Sequence, residues 1–248
     1  MDDDDDENIG INKIHEILVQ TKIQPAKSKT IVELFRRFFS PNVNNEKLED
    51  VDCVQGGYHE IVPRLFLGDC KLAMDPVKLK QLGFTHILNA AEGRKFGQIN
   101  TCATYYEEAG IKYLGFSIID SPAYQIGMHF EEAIKFLEEA LNNKKNRVYV
   151  HCQQGISRSA TLIVAYLLHT YENMSLFDAF QLVATRRRIW PNEGFCRHLI
   201  RLEKEKKKKT SNDEETPQSL ESQINENVFE QYAINNENNT DETLSTKP

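Results

Sequence analysis

The chain has 248 residues, 40% hydrophobic and 27% charged, with five cysteines and a formal net charge of −7. Its longest largely apolar run, Ala160 to Leu168, is far shorter than the roughly 20 residues of a membrane span, and Met1 is followed by acid rather than by a signal-peptide pattern. An odd cysteine count without paired spacing argues against a disulfide scaffold or a zinc module, so the reading is a protein of a reducing compartment, cytoplasmic or nuclear, with one or two domains and room for a sizeable core.

The charge is unevenly spread. Six acids crowd positions 2–7, and nine acids against one lysine fall in 210–248, which leaves a mildly basic body between acidic ends. Residues 1–10 read as a disordered acidic tail. Residues 11–55 read as a helical extension, in which Ile31, Val32, Leu34, Phe35, Phe38 and Phe39 form an apolar stripe before Pro41; covering the domain's own core is the plainer use of that stripe, docking a partner the other.

From about residue 56 to 206 the punctuation is regular. His59 to Val62 and Arg64 to Leu67 read as short strands, Asp75 to Leu82 as a helix closed by Gly83, and His86 to Ala90 as an apolar strand. Lys112 to Ile118 is a further strand, Met128 to Leu141 an amphipathic helix, Arg147 to Val150 a buried strand and Ala160 to Tyr171 a buried helix. Ser175 and Asp178 form a capping box for a helix reaching about Thr185, and a last helix beginning near Asn192 to Gly194 turns Phe195, Leu199 and Leu202 inward. Strands alternating with helices predict an α/β domain with a central sheet. Lys204 to Lys209 reads as a helix's solvated last turn, with a nuclear address as the alternative, and 207–248 as a disordered polar tail.

The chemistry is carried by Arg147-Val-Tyr-Val-His151-Cys152-Gln153-Gln154-Gly155-Ile156-Ser157-Arg158-Ser159-Ala160. A strand ends at a cysteine, an arginine closes the loop, and a helix starts at once. Successive backbone N–H groups can then face one concavity at the positive end of a helix, a seat for an oxyanion of phosphate size. Gln153, Gln154, Gly155, Ile156, Ser157 and Arg158 would line it; Gly155 permits the turn, and Arg158 offers a planar fork to two phosphate oxygens. The same field favours the thiolate of Cys152, which can attack phosphorus and form a phosphocysteine. Ser159 can donate a hydrogen bond to the sulfur, and His151 is placed to fix the loop backbone. The leaving group needs a proton, for which Asp120, just past a strand end, is well positioned. The other cysteines read as buried small apolar residues.

At these residues the chain resembles the cysteine-dependent protein-tyrosine-phosphatase superfamily, and within it the atypical dual-specificity phosphatases of VHR type. The resemblance extends to Ile61–Gly68, Leu82–Gly93, Ile111–Gly115 and Pro191–Phe195, and covers about Tyr58 to Leu202. It implies a protein-tyrosine-phosphatase fold with a five-stranded mixed sheet flanked by helices, no metal and no cofactor. It also implies hydrolysis of phosphotyrosine, phosphothreonine and phosphoserine on proteins, with Cys152 as nucleophile, Arg158 gripping phosphate, Asp120 as general acid and Ser159 assisting. The loop interior Gln153-Gln154-Gly155-Ile156 departs from VHR and looks closer to the MAP-kinase phosphatases, but the stretch before residue 56 reads as too short for a rhodanese-like docking domain.

Phosphoprotein substrates, MAP kinases among them, are the partners implied; nucleic acid and stable membrane association are not. A phosphatase of lipids or RNA 5′ ends is the alternative within this chemistry, disfavoured by the absence of cations at Gln153, Gln154 and Ile156. A non-catalytic phosphobinding scaffold is the alternative outside it, disfavoured because cysteine, arginine and acid are all present.

Overall fold

The computed structural model describes residues 3–23 and 57–213; the apolar stripe at 31–39 and the tail beyond 213 lie outside the described residues. The domain is built on five strands: β1 (Tyr58–Val62), β2 (Leu65–Gly68), β3 (His86–Asn89), β4 (Lys112–Gly115) and β5 (Val148–His151). They form one sheet in the order β1-β2-β5-β3-β4, parallel throughout except for the antiparallel edge pair β1 and β2. This is the mixed five-stranded sheet that the resemblance implies.

Alternation along each strand explains the layers. Leu65, Leu67, Leu88, Val148 and Val150 enter one core, while Phe66, Ile87 and Tyr149 enter a second one on the opposite face. Both faces are therefore covered, as a parallel sheet requires. The smaller face carries α2 (Cys70–Ala73) and α3 (Pro76–Gln81), with α4 (Ala103–Tyr106) beyond them. The larger face carries α5 (Phe130–Asn142), α6 (Arg158–Thr170), α7 (Leu176–Arg186) and, through Phe195 to Leu202, the first half of α8 (Glu193–Asp213). Helix α6 is buried from Arg158 through Leu168, as its apolar sequence predicts. The capping box at the start of α7 is present, with the Ser175 hydroxyl and the Asp178 carboxylate each meeting the other residue's backbone N–H.

Register places the site. Gly68, His151, Asn89 and Gly115 stand in one row across the four parallel strands. The segments that follow them therefore emerge together at the carboxyl edge of the sheet, where α/β folds hold ligands. Strand β4 is shorter than the predicted Lys112 to Ile118, because the ladder with β3 ends at the Asn89–Gly115 pair and the chain turns towards that edge.

Two boundaries differ from the sequence reading. The expected disorder of residues 1–10 is corrected from residue 3 onward: α1 (Asp3–Ile23) is one helix. Its acids suit the positive end of the helix dipole, Ile11, Ile14 and Leu18 are buried, and the Glu7 carboxylate meets Arg201 at 2.9 Å and Arg197 at 3.5 Å. The second difference is at the other end, where α8 continues to Asp213 instead of giving way at 207. Lysine and glutamate are good helix formers and let the lysine run stay helical. The cysteines also divide: Cys196 is buried and its thiol pushed up to about 12 by that burial, but Cys102 is exposed rather than buried, contrary to the sequence reading. Cys53 lies outside the described residues.

Candidate active site

The segment from Cys152 to Arg158 joins β5 to α6, and its backbone carbonyls are held from outside. The Gln153 carbonyl accepts the Cys70 N–H at 3.1 Å, and the Ile156 carbonyl accepts the Trp190 N–H at 2.9 Å. Arg187 reaches two more, donating from Nη2 to Gln154 and from Nε to Gly155, each at 2.8 Å. The Ser157 carbonyl takes both the N–H and the hydroxyl of Thr161 at 2.9 Å. With the carbonyls turned outward, the alternating dipoles of the backbone turn the amides inward, which makes an anion-binding nest at a helix N-terminus. Gly155 is needed at its position: φ is +68°, and a Cβ there would run into the Gly68 carbonyl.

The Cys152 sulfur lies at the floor, 2% exposed. It accepts hydrogen bonds from the Gly155 N–H and the Ser159 hydroxyl, both at 3.2 Å. Burial by itself raises the thiol pKa, but the Ser159 hydroxyl and amide, the Arg158 charge and the Gly155 amide together outweigh it, and the net direction is downward. Because the Ser159 hydroxyl is the largest of the lowering influences, Ser159→Ala should move the thiol's titration to higher pH. Alkylation by iodoacetamide at neutral pH should then slow several-fold, and an unchanged pH profile would deny the hydroxyl this role.

Arg158 is nearly buried and is held at Nη1 by the carbonyls of Gly97 (2.8 Å) and Ile118 (3.2 Å). Its Nε is buried without a hydrogen-bond acceptor, with Asp120 Oδ2 at 3.6 Å. An arriving phosphate would supply the missing acceptor. His151 is fully buried behind the loop, with Nδ1 3.1 Å from the Cys152 carbonyl. Burial pulls its pKa down to about 4, so the ring is neutral at physiological pH and donates that bond from Nδ1, in keeping with a backbone-fixing role.

Asp120 reaches the loop from the segment after β4. Its Oδ1 accepts the Ser157 hydroxyl at 2.8 Å and the Asn192 amide at 2.9 Å. The Ser157 side chain thus serves the carboxylate, while its backbone belongs to the nest. The structure brings together every residue picked out from the sequence: Asp120, Cys152, Gln153, Gln154, Ile156, Ser157 and Arg158 line one pocket of about 1000 Å³, with Gly155, Ser159 and His151 in the wall behind. Sequence reasoning missed two positioning residues. Arg187 is one of three consecutive arginines, 186–188, and nothing local says which of them reaches the loop. Asn192 was legible only as a helix start; its Oδ1 does accept the Phe195 N–H at 3.0 Å, and its amide holds Asp120. A thiol whose pKa is drawn down beneath a nest of amides, with a carboxylate at the mouth, has the groups that exchange of a phosphoryl group between an ester oxygen and sulfur requires.

Residues 65–205 match the family model described as "Dual specificity phosphatase, catalytic domain". The chain is 42% identical over 152 residues to dual specificity protein phosphatase 13B of Mus musculus, which covers 61% of this chain and 75% of that protein. It is 42% identical over 145 residues to dual specificity protein phosphatase 26 of Bos taurus, covering 58% and 66% respectively. Among solved structures, human DUSP28 superposes with a TM-score of 0.51 at 28% identity, over 61% of this chain and 96% of that one. A mouse putative dual specificity phosphatase complexed with zinc tungstate gives 0.53 at 26% identity, over 64% and 94%.

Proposed function

The chain belongs to the dual specificity phosphatase family, a family of protein phosphatases, and from that premise we propose how its own residues perform the hydrolysis. The Cys152 thiolate attacks the phosphorus of a bound phosphoester in line. The P–O bond to the substrate breaks, and Asp120 gives its proton to the departing oxygen, leaving a phosphocysteine. A water molecule, deprotonated by the Asp120 carboxylate, then attacks phosphorus; the S–P bond breaks, and the Ser159 hydroxyl stabilises the released thiolate. Arg158 and the loop amides hold the equatorial oxygens through both steps, where charge develops.

The observation that carries this reading is the sulfur of Cys152, buried yet hydrogen-bonded by Gly155 and Ser159 beneath an arginine whose Nε lacks an acceptor. Phosphoproteins are the substrates; MAP kinases, phosphorylated on tyrosine and threonine, are the class proposed within them on the likeness of the Gln153–Ile156 loop interior. The cytoplasm and nucleus are the proposed setting.

Among the described residues, the pocket wall offers one permanent cation besides Arg158, namely Lys95. Polyanionic lipids and RNA 5′-triphosphates would call for more. Turnover of phosphopeptides should therefore exceed that of phosphoinositides and 5′-triphosphate RNA by roughly 10²-fold in kcat/KM. Equal or reversed preference would transfer the function to non-protein phosphates.

A further inference from the structure

The phosphate pocket has a wall partly from outside the matched domain. His15 of α1 lines it together with Trp190, on the segment between α7 and α8. The two rings are stacked, with centroids 5.3 Å apart and planes within 8°. Helix α1 is seated by the buried residues Ile11, Ile14 and Leu18 and by the Glu7 carboxylate on Arg197 and Arg201. The family model covers residues 65–205, which takes in Trp190 and leaves His15 outside the matched domain.

Among polar residues such as Lys95, Gln153, Gln154 and Glu193, the rim also carries large apolar groups. Phe96 is fully exposed, Ile119 is 53% exposed and Trp190 43%, all three around a floor occupied by Cys152. Large apolar groups gathered at the mouth of a pocket mark a binding surface rather than a folding requirement. Trp190 is also tied to the phosphate seat, since its N–H is bonded to the Ile156 carbonyl.

We infer that α1 is a substrate-selecting element: His15, stacked on Trp190, completes an aromatic wall that grips the phenyl ring of a phosphotyrosine and so favours tyrosine over threonine and serine phosphoesters. The inference rests on the phosphatase reading above. A phosphotyrosine places a flat ring between its phosphate and the peptide backbone. A phosphothreonine or phosphoserine has a single carbon between ester oxygen and Cα, and offers the wall nothing to stack on. Aromatic pairing of this kind is worth up to about tenfold in binding.

The test compares kcat/KM for two peptides that differ only in carrying phosphotyrosine or phosphothreonine. His15→Ala should lower the tyrosine-to-threonine ratio by about threefold to tenfold, through KM rather than kcat, and His15→Phe should restore it. In a Trp190→Ala background, His15→Ala should have no further effect on the ratio, because the stack is already lost. An unchanged ratio, or a second full loss on top of Trp190→Ala, overturns the proposal. Trp190 is the chain's single tryptophan, so its fluorescence supplies an independent readout. In a Cys152→Ser protein the phosphotyrosine peptide should change the emission and the phosphothreonine peptide should not; equal responses also overturn it. Failure of the phosphatase reading itself would look different, as absence of phosphate release from both peptides by the wild-type protein.

Discussion

A Cys152→Ser variant should release phosphate from phosphopeptides at least about 10³-fold more slowly than the wild type, while still folding and still binding them. The substitution exchanges sulfur for oxygen at a site 2% exposed without opening a cavity of any consequence. What it removes is ionisation. The donors that draw the thiol's pKa down, Ser159, Arg158 and Gly155, cannot do the same for an alkanol at neutral pH, so the nucleophile is lost. Binding is retained because the outward-held carbonyls and Arg158 are untouched, and it gains from the loss of repulsion between thiolate and phosphate dianion. Phosphate release and capture of a labelled phosphopeptide on immobilised protein measure the two effects separately. Turnover within about tenfold of wild type would remove Cys152 from its role.

Asp120→Ala should lower kcat by about 10² to 10⁴-fold, with a dependence on leaving group that identifies acid catalysis. Nitrophenolate departs readily without a proton, whereas the alkoxide of threonine does not; the loss should deepen from nitrophenyl phosphate to phosphotyrosine to phosphothreonine. The structural cost is small, since the Asp120 side chain is 37% exposed and the Ser157 and Asn192 donors it leaves can turn to water. A loss of equal size for all three leaving groups would assign Asp120 to holding the loop rather than to moving a proton. Steady-state kinetics across the series decides between them.

The Cys152 loop was legible because its information is local. His151 through Ser159 are consecutive, they sit between a strand and a helix whose apolar patterns are unmistakable, and a glycine marks the turn. Asp120 was legible from its place after a strand, since sheet order brings such segments to one edge. Arg187 and Asn192 were not, because their partners lie far away in sequence: Arg187 reaches Gly155 across 32 positions and Asn192 reaches Asp120 across 72. Helix α1 was misread over residues 3–10 for a related reason. Its aspartates carry the composition of an unfolded tail, and the partners that order it, Arg197 and Arg201, stand 190 and 194 positions from Glu7. His15 was invisible for the same cause.

The bracing of the phosphate loop by Cys70, Arg187, Trp190 and Thr161 has a consequence for turnover. A mould set during folding needs no rearrangement when its guest arrives, and what it fits is the tetrahedral oxyanion rather than the molecule bearing it. Inorganic phosphate, once discharged, should therefore compete with fresh substrate for the seat. Orthovanadate and tungstate, tetrahedral oxyanions as well, should do likewise. Distinguishing one phosphoprotein from another must therefore be done above the seat, by whatever surrounds the opening.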